Sequence, residues 1–218
     1  MRCSTLLLAS ALLTLGTTSN ATTFTFDSDP FAGTTALTTP GRQIVANEQF
    51  ISFNPGTDVF AFDPAVFGVA NQIHFVNGAA GNLPSGGVNV VVLESFDDDN
   101  NPLTPFGAGN AASLIAQRIS TPGAGFFVYF NQALNVPRLV FSTDLDDPTA
   151  DLKVLARMTN LTGQDGRDAL PEFTAANFAT IASTAEAAAP EPATLLLMAA
   201  GAFGFVGIRR RIIATATS

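Results

Sequence analysis

Short runs of aromatic and β-branched residues dominate the middle of the chain, and Gly, Pro, Asn or Asp bounds each run. Such runs are typical of β-strands separated by turns. No run alternates with a long amphipathic helical pattern, so a parallel α/β sheet is not expected. The pattern predicts an all-β body with an antiparallel β-sandwich or jelly-roll-like fold. The predicted strands cover residues 50–53, 59–62, 72–76, 88–96, 126–130, 138–141 and 152–158.

The run at 126–130 (FFVYF) is apolar at every position, which predicts a central strand covered on both faces. Because the chain holds 19 Phe, one Tyr and no Trp, phenylalanine is the expected filler between the sheets. Side chains alternate between the faces of a sheet, which divides the last three strands into two sets. One face is expected to carry Phe127, Tyr129, Leu139, Phe141, Val154 and Ala156. The other is expected to carry Phe126, Val128, Phe130, Val140, Leu155 and Arg157.

The N-terminus has the three parts of a secretory signal peptide. Arg2 is a positive start, residues 6–15 are a short apolar stretch, and Ser19 and Ala21 are the small residues that signal peptidase needs. The apolar stretch is too short to span a hydrocarbon core of about 30 Å comfortably. We therefore predict a signal peptide at 1–21, export through the Sec machinery and a mature chain that begins at Thr22. A buried N-terminal strand or helix is the alternative.

A second apolar segment, near the C-terminus, lies between a Pro-Glu-Pro sequence and a cluster of arginines. Residues 193–208 are apolar and predict a transmembrane helix. The arginines at 209–211 stop translocation and stay in the cytoplasm, which leaves the body outside the inner membrane. The residues that carry this order of parts are Pro190, Glu191, Pro192, Gly201, Arg209, Arg210 and Arg211.

This order of parts over residues 190–211 resembles the PEP-CTERM sorting signal of Gram-negative bacteria. In that family the tail is processed by exosortase, a membrane protease or transpeptidase, and the host genomes typically make exopolysaccharide. The resemblance implies a transient stay in the inner membrane, removal of the tail by exosortase and delivery to the cell surface or the extracellular matrix. Exopolysaccharide is then a candidate partner. Family tails usually stop sooner after the arginines, and an ordinary tail anchor is the alternative.

Removing both signals leaves a β-sandwich domain at 22–178 and an Ala-rich spacer at 179–189, with a short tail at 212–218. Between residues 22 and 189, six basic side chains stand against 17 acidic ones, a net charge of −11. Such a body repels nucleic acid and suits a soluble surface protein or a cation binder. The only cysteine, Cys3, is lost with the signal peptide, which excludes disulfides and thiol chemistry from the mature protein.

The most suggestive polar cluster is the sequence DDDNN at 97–101, which follows the strongest predicted strand and precedes a proline. Carboxylate and amide oxygens are the ligands that Ca²⁺ prefers, so a weak calcium site is one interpretation. Asp and Asn are also common turn residues, so a solvated turn is the other interpretation. No further cofactor is expected. The candidate ligands are Asp97, Asp98, Asp99 and Asn101, and a second acidic group comprises Asp144, Asp146, Asp147 and Asp151.

Catalysis is not expected from these residues. His74 is the only histidine, and no Gly-x-Ser-x-Gly nucleophile motif is present. The lack of Trp disfavours sugar hydrolysis, because sugar sites usually stack their substrate on such rings. We expect a non-catalytic cell-surface or extracellular-matrix protein. The alternatives are a carbohydrate- or Ca-binding module, a secreted glycan hydrolase, and an ice-binding protein suggested by the threonine pairs at 34–35 and 38–39.

Overall fold

A computed structural model describes residues 20–101 and 103–181 of the chain. Most of the predicted signal peptide, Ser19 included, and the whole predicted sorting tail lie outside these residues. In the part that is described, no helix has both the length and the apolar character that a membrane crossing requires. Strands make up most of its regular structure, which confirms the all-β class.

Ten strands, three short α-helices and three 3₁₀-helices (Ala80–Asn82, Leu170–Glu172 and Ala175–Asn177) form the regular structure of the described residues. The strands are β1 (Thr23–Phe26), β2 (Ile44–Val45), β3 (Gln49–Ile51), β4 (Val59–Phe62), β5 (Phe75–Gly78), β6 (Val90–Leu93), β7 (Gly125–Asn131), β8 (Val136–Ser142), β9 (Leu152–Met158) and β10 (Phe178–Thr180). The helices are α1 (Pro64–Phe67), α2 (Ala108–Ala116) and α3 (Gly163–Asp168). Each of the seven predicted runs contains or overlaps a strand, whereas β1, β2, β10 and α2 were not predicted.

The larger sheet has the strand order β2-β9-β8-β7-β6-β5, and β3 also pairs with β9. Strands β7, β8 and β9 pair antiparallel through short connections. Strands β5, β6 and β7 run parallel, as do β2 and β3 beside β9. All seven residues of β7 are buried between neighbours on both sides, which confirms the prediction of a central, doubly covered strand.

The smaller sheet has the order β1-β4-β10, and all three strands are parallel. Its two outer strands are the first and last strands of the described residues. Residues 179 and 180 pair with Ala61 and Phe62, and the N–H of Ile181 donates to the carbonyl oxygen of Phe62 at 2.7 Å. Residues 179 and 180, the start of the predicted spacer at 179–189, therefore belong to the last strand of this sheet.

Phenylalanine rings fill the space between the two sheets, as the composition predicted. Phe62 of β4 stacks on Phe126 of β7 with the ring centroids 3.7 Å apart. Phe53 stacks on Phe60 at 4.2 Å and on Phe173 at 5.3 Å. One cluster of buried side chains contains residues of both sheets, so the smaller sheet covers one face of the larger one.

Helix α2 covers the opposite face of the larger sheet. Its buried residues Ala108, Ala111, Ala112 and Ile115 pack with Phe127 and Tyr129 of β7 in a second core cluster. Their spacing, with intervals of three and four residues, is the stripe expected of a helix that lies on a core. This periodicity was a readable signal in the sequence, although the alanines make it a weak one.

The direction of the strands requires a correction. Among the described residues only the β7–β8 and β8–β9 ladders are antiparallel, so the predicted antiparallel sandwich or jelly roll is wrong for most pairs. Parallel neighbours need a crossover connection, and here loops with short helices supply it. The absence of long amphipathic helices therefore did not exclude parallel pairing.

The predicted faces of the last strands are partly wrong. Alternation along β7 holds, but Phe126 pairs with Phe141 and Val128 with Leu139, so these four side chains share one face. Ala156 also moves to that face, because an extra residue, Leu155, interrupts the pairing of β8 with β9. Such a β-bulge shifts every later side chain by one position.

Candidate functional site

An open cleft of about 350 Å³ lies where the loop after β1 meets the β2–β3 connection and β9. Three largely buried apolar side chains, Phe26, Phe67 and Leu155, line it. Polar groups from three segments surround this apolar surface. They are Asp27, Ser28 and Asp29 after β1, Asn47 and Gln49 beside β3, and Lys153 on β9.

Lys153, the only lysine of the chain, is the cation of this cleft. Its Nζ donates to the carbonyl oxygen of Ala46 at 2.6 Å. Partial burial lowers the pKa of Lys153, and the carboxylate of Glu48 acts in the opposite direction. The cleft thus offers one ammonium donor, carboxylate acceptors and amide groups above an apolar surface. This combination can bind a small polar molecule through its hydroxyl groups.

Sequence reasoning did not find this cleft. Its acidic residues lie in the sequence FDSDP, which has the composition of an ordinary turn, and its lysine lies 124 positions after Asp29. The three segments meet only because β3 pairs with β9 and β1 joins the facing sheet. The isolated lysine in a strongly acidic body was the one readable signal.

The structure brings Asp97, Asp98 and Asp99 together in an exposed turn, with carboxylate oxygens of all three within 4.8 Å of one another. Oδ1 of Asp97 accepts the N–H groups of Asp99 and Asn100 at 3.1 and 2.9 Å. Asp99 accepts the hydroxyl of Thr104 at 2.6 Å and the N–H of Asn101 at 2.8 Å. These bonds, that of Thr104 first, hold the pKa of Asp99 below its ordinary value.

The remaining groups of this turn also have local partners. Oδ2 of Asp98 accepts from the side-chain amide of Asn110 at 2.8 Å. The side-chain oxygen of Asn101 accepts the N–H of Leu103 at 3.1 Å. The turn is therefore held by its own hydrogen bonds, and both interpretations of it, a weak Ca²⁺ site and a solvated turn, remain open.

The second acidic group does not form a cluster, because its carboxylates accept hydrogen bonds from different segments of the chain. Asp144 accepts the N–H of Gly123 at 2.9 Å, and Asp147 accepts from Thr149 at 2.7 Å. Hydrogen bonds to the backbone and hydroxyl of Thr149 lower the pKa of Asp147. Asp151 accepts the N–H groups of Leu37 and Gln43, which ties the long loop before β2 to β9.

A buried ion pair that the sequence did not indicate lies at one end of the larger sheet. Glu48 is bound by the guanidinium groups of Arg138 and Arg157, and its side chain is 5% exposed. Tyr129, the only tyrosine, lies nearby, and its hydroxyl accepts from the side-chain amide of Asn131 at 2.9 Å. Burial raises the pKa of Tyr129. This network joins the β2–β3 connection to β8 and β9.

His74 is exposed beside β5. The recorded hydrogen bonds around it use its backbone: its N–H donates to Asn89 at 2.8 Å, and its carbonyl accepts the N–H groups of Asn89 and Val90. It lies at the edge of a second hollow of about 230 Å³ that is lined by Asn89 and Thr121 and by no acidic residue. This surrounding offers no acid–base partner for the imidazole.

Comparison with known proteins bears on the C-terminus. Residues 188–211 match the family model of the PEP-CTERM protein-sorting motif, which confirms the resemblance found over residues 190–211. No curated protein and no solved structure gives a significant match to the chain. The motif indicates exosortase-dependent sorting of an exported protein, with a membrane-anchored precursor and exosortase as the processing partner.

Proposed function

Because the chain carries a PEP-CTERM protein-sorting motif, we propose that its body is a non-catalytic cell-surface or extracellular-matrix protein. The motif is the observation that carries this proposal. The strongly acidic body supports it, since net charge keeps a protein soluble and separate from its neighbours. The exposed position of His74, with no acidic residue in the adjacent hollow, supports the non-catalytic role.

The route begins at the Sec machinery, and signal peptidase removes residues 1–21 with Ser19 and Ala21 in its pockets. The apolar segment at 193–208 then holds the precursor in the inner membrane while the arginines stay in the cytoplasm. We assign recognition by exosortase to the Pro-Glu-Pro sequence at 190–192, with the carboxylate of Glu191 serving recognition rather than chemistry. Removal of the tail releases a mature protein without a membrane anchor.

Mass spectrometry of protein recovered from envelope and culture matrix tests this route. In a strain with active exosortase, the mature protein should begin at Thr22 and lack residues 209–211. Without exosortase, an uncut precursor should accumulate in the membrane. Replacing all three C-terminal arginines with glutamine should let the chain pass through unprocessed, whereas Arg118→Gln, an exposed site in the body, should change nothing. Wild-type protein that retains Arg211 despite active exosortase means that the tail is only an anchor.

A second candidate function is binding of a sugar residue of the exopolysaccharide in the cleft around Lys153. This function is supported by the lining of the cleft, in which carboxylate, amide and ammonium groups surround apolar side chains. Sugars present hydroxyl groups on the edge of a largely apolar ring, and such a site complements both parts. The same polysaccharide also serves as the substrate in a test for hydrolase activity.

Retention on immobilised exopolysaccharide from the producing strain tests this second function. Lys153→Met keeps the aliphatic stem and removes the charge, and Gln49→Ala removes an amide that lines the same cleft; both should weaken retention. Arg118→Gln is the control for loss of one positive charge. Retention that instead needs Ca²⁺ and Asp97–Asp99 assigns binding to the acidic turn. Steady release of reducing ends from the polysaccharide would contradict the non-catalytic role.

A further inference from the structure

Asp58 is a buried carboxylate in the turn that leads into β4. Its residue is 5% exposed. Oδ1 accepts the backbone N–H of Thr22 at 2.9 Å and the hydroxyl of Thr57 at 3.2 Å. Oδ2 accepts the backbone N–H of Asn54 at 2.9 Å. The carboxylate is therefore well supplied with hydrogen bonds, but all of them come from neutral groups.

No positive charge pairs with Asp58 among residues 20–101 and 103–181. The ion pairs in that part of the chain are those of Glu48 with Arg138 and Arg157. Removing a carboxylate from water is costly, and buried charges are normally paired. A counter-charge is thus the one element that the surroundings of Asp58 lack.

The residue whose N–H reaches Asp58 is also the residue at which signal peptidase is predicted to create a new terminus. We propose that Asp58 is the binding site for the N-terminal ammonium group of the mature protein. Cleavage converts the Thr22 amide into an ammonium group at the same place, and a neutral hydrogen bond becomes an ion pair. This inference rests on the export step of the proposed function.

The covalent step is a hydrolysis that needs only water as co-reactant. The bond between the carbonyl carbon of Ala21 and the nitrogen of Thr22 breaks. The oxygen atom of water completes the carboxylate of Ala21, and both protons of that water go to the nitrogen of Thr22, which becomes an ammonium group. One carboxylate leaves with the signal peptide, and one ammonium group stays on the body.

The ion pair would form at the common starting end of the smaller sheet. Thr22 directly precedes β1, and its carbonyl oxygen accepts the N–H of Val59, the first residue of β4. Asn177 directly precedes β10, and its side-chain amide donates to the carbonyl oxygens of Pro55 and Asp58 at 2.6 and 2.9 Å. The turn at Asp58 therefore contacts the beginning of all three parallel strands. An ion pair there would stabilise the sheet that joins the two ends of the body.

The precursor can adopt the same fold before cleavage. Asn20, Ala21 and Thr22 are exposed, so this start of the described chain occupies no place in the core. The groups bonded to Asp58 come from Thr22, Asn54, Thr57 and Asn177, and none of them titrates. Any pH dependence that appears only after processing is thus assigned to the new ammonium group.

The sign of this pH dependence follows from the pairing. A free α-amino group has an ordinary pKa of about 8, and an adjacent carboxylate raises that pKa in the folded state. A raised pKa contributes stability that is fully present below about pH 8 and is lost as the pH rises through the folded value. Each unit of increase corresponds to about a tenfold gain in the folding equilibrium constant.

Two exported proteins that differ only at the N-terminus provide the test. One begins at Thr22. In the other, the small residues that signal peptidase recognises are placed two positions earlier, so cleavage leaves Asn20 and Ala21 on the mature protein. Mass spectrometry verifies both termini, and urea unfolding is measured at pH 6.5 and pH 10.5. At pH 6.5 the folding equilibrium constant of the Thr22 protein should exceed that of the longer protein by about tenfold or more. At pH 10.5 the two constants should be equal. Equal stability at pH 6.5 would overturn the proposal.

Asp58→Asn, which keeps an oxygen acceptor and removes the charge, should abolish the difference between the two termini. If that variant does not fold, the α-amino pKa of the wild-type protein is measured by NMR, with the protein that retains Asn20 and Ala21 as the reference. A pKa clearly above 8 supports the pairing, and a value at or below 8 overturns it. A natural terminus away from Thr22 would refute the predicted cleavage, whereas a Thr22 terminus with no stability gain refutes only the role of Asp58.

Discussion

The two sheets are made of the same kinds of residues but are closed in different ways. In the larger sheet, β7, β8 and β9 follow one another along the chain and pair as neighbours. In the smaller sheet, every pairing joins distant segments: Thr22 bonds to Asp58 across 36 positions, and Asn177 bonds to Asp58 across 119. The three central strands of the larger sheet are thus local, although β2 and β3 pair with β9 from distant segments, whereas the smaller sheet has no local pairing and closes the body by joining its ends.

This difference explains where the buried hydrogen bonds that stabilise the fold are found. Local hairpins need little more than alternating side chains and a turn. Distant parallel strands must first offset the entropy of closing long loops. In the smaller sheet, buried hydrogen bonds at Asp58 and Asn177 support that closure, together with the phenylalanine layer. Stability of the body should therefore depend both on the aromatic contact between the sheets and on the hydrogen bonds at Asp58 and Asn177.

The largest effect is expected from breaking the contact between the sheets. Phe62 is fully buried and stacks on Phe126. Phe62→Ala leaves a cavity in the shared core and should lower the free energy of unfolding by about 4 kcal/mol, measured by urea denaturation. Phe50→Ala is the matched control, because Phe50 is 68% exposed. Its loss should cost no more than about 1 kcal/mol, that of its contact with Arg157. Equal losses would mean that the sheets do not share a core.

The next effect concerns the larger sheet alone. Glu48→Gln leaves the guanidinium groups of Arg138 and Arg157 partly buried without a counter-charge. Breaking such a pair should lower the free energy of unfolding by about 3 kcal/mol. Glu94→Gln, a partly exposed glutamate outside any ion pair of the described residues, is the control. A loss no greater than that of the control would show that the pair is effectively solvated.

A smaller effect is expected from removing the side-chain hydrogen bonds of Asn177 in the smaller sheet. Asn177→Ala leaves the carbonyl oxygens of Pro55 and Asp58 without their donor and should cost about 2 kcal/mol. Hydrogen exchange should rise first in β10 and β4, while β7 and β8 stay protected. The exposed Asn71 provides the control substitution. Uniform loss of protection in both sheets would contradict the view that they close separately.

The smallest effect should come from the acidic turn, which lies outside both sheets. Changing Asp97, Asp98 and Asp99 together to Asn should leave the urea midpoint of unfolding nearly unchanged, because all three are exposed. If the turn binds Ca²⁺, calorimetry at millimolar Ca²⁺ should show heat for the wild type and none for the variant. Absence of heat in both would leave the solvated turn as the correct interpretation.

Six of the seven strands of the larger sheet, all except β2, were readable because their signals are local. The five apolar residues at 126–130 predict burial on both faces without indicating which element buries each face. In the structure the smaller sheet covers one face and α2 covers the other. Strand β10 was missed because Phe178 is followed by small residues that resemble a spacer. The cleft around Lys153 was missed because its three segments are brought together by pairings that leave no trace in any one of them.

The sequence by itself determined the strand positions of the larger sheet except β2, the phenylalanine core and the sorting motif, because each depends on residues close together in the chain. Only the tertiary structure decided the parallel pairing, the register of β8 against β9 and the position of Asp58 beneath Thr22. Register depends on the partner strand, and one extra residue, Leu155, exchanges the faces of everything beyond it. Contacts across more than a hundred residues depend on how the whole body closes, and local periodicity carries no information about that closure.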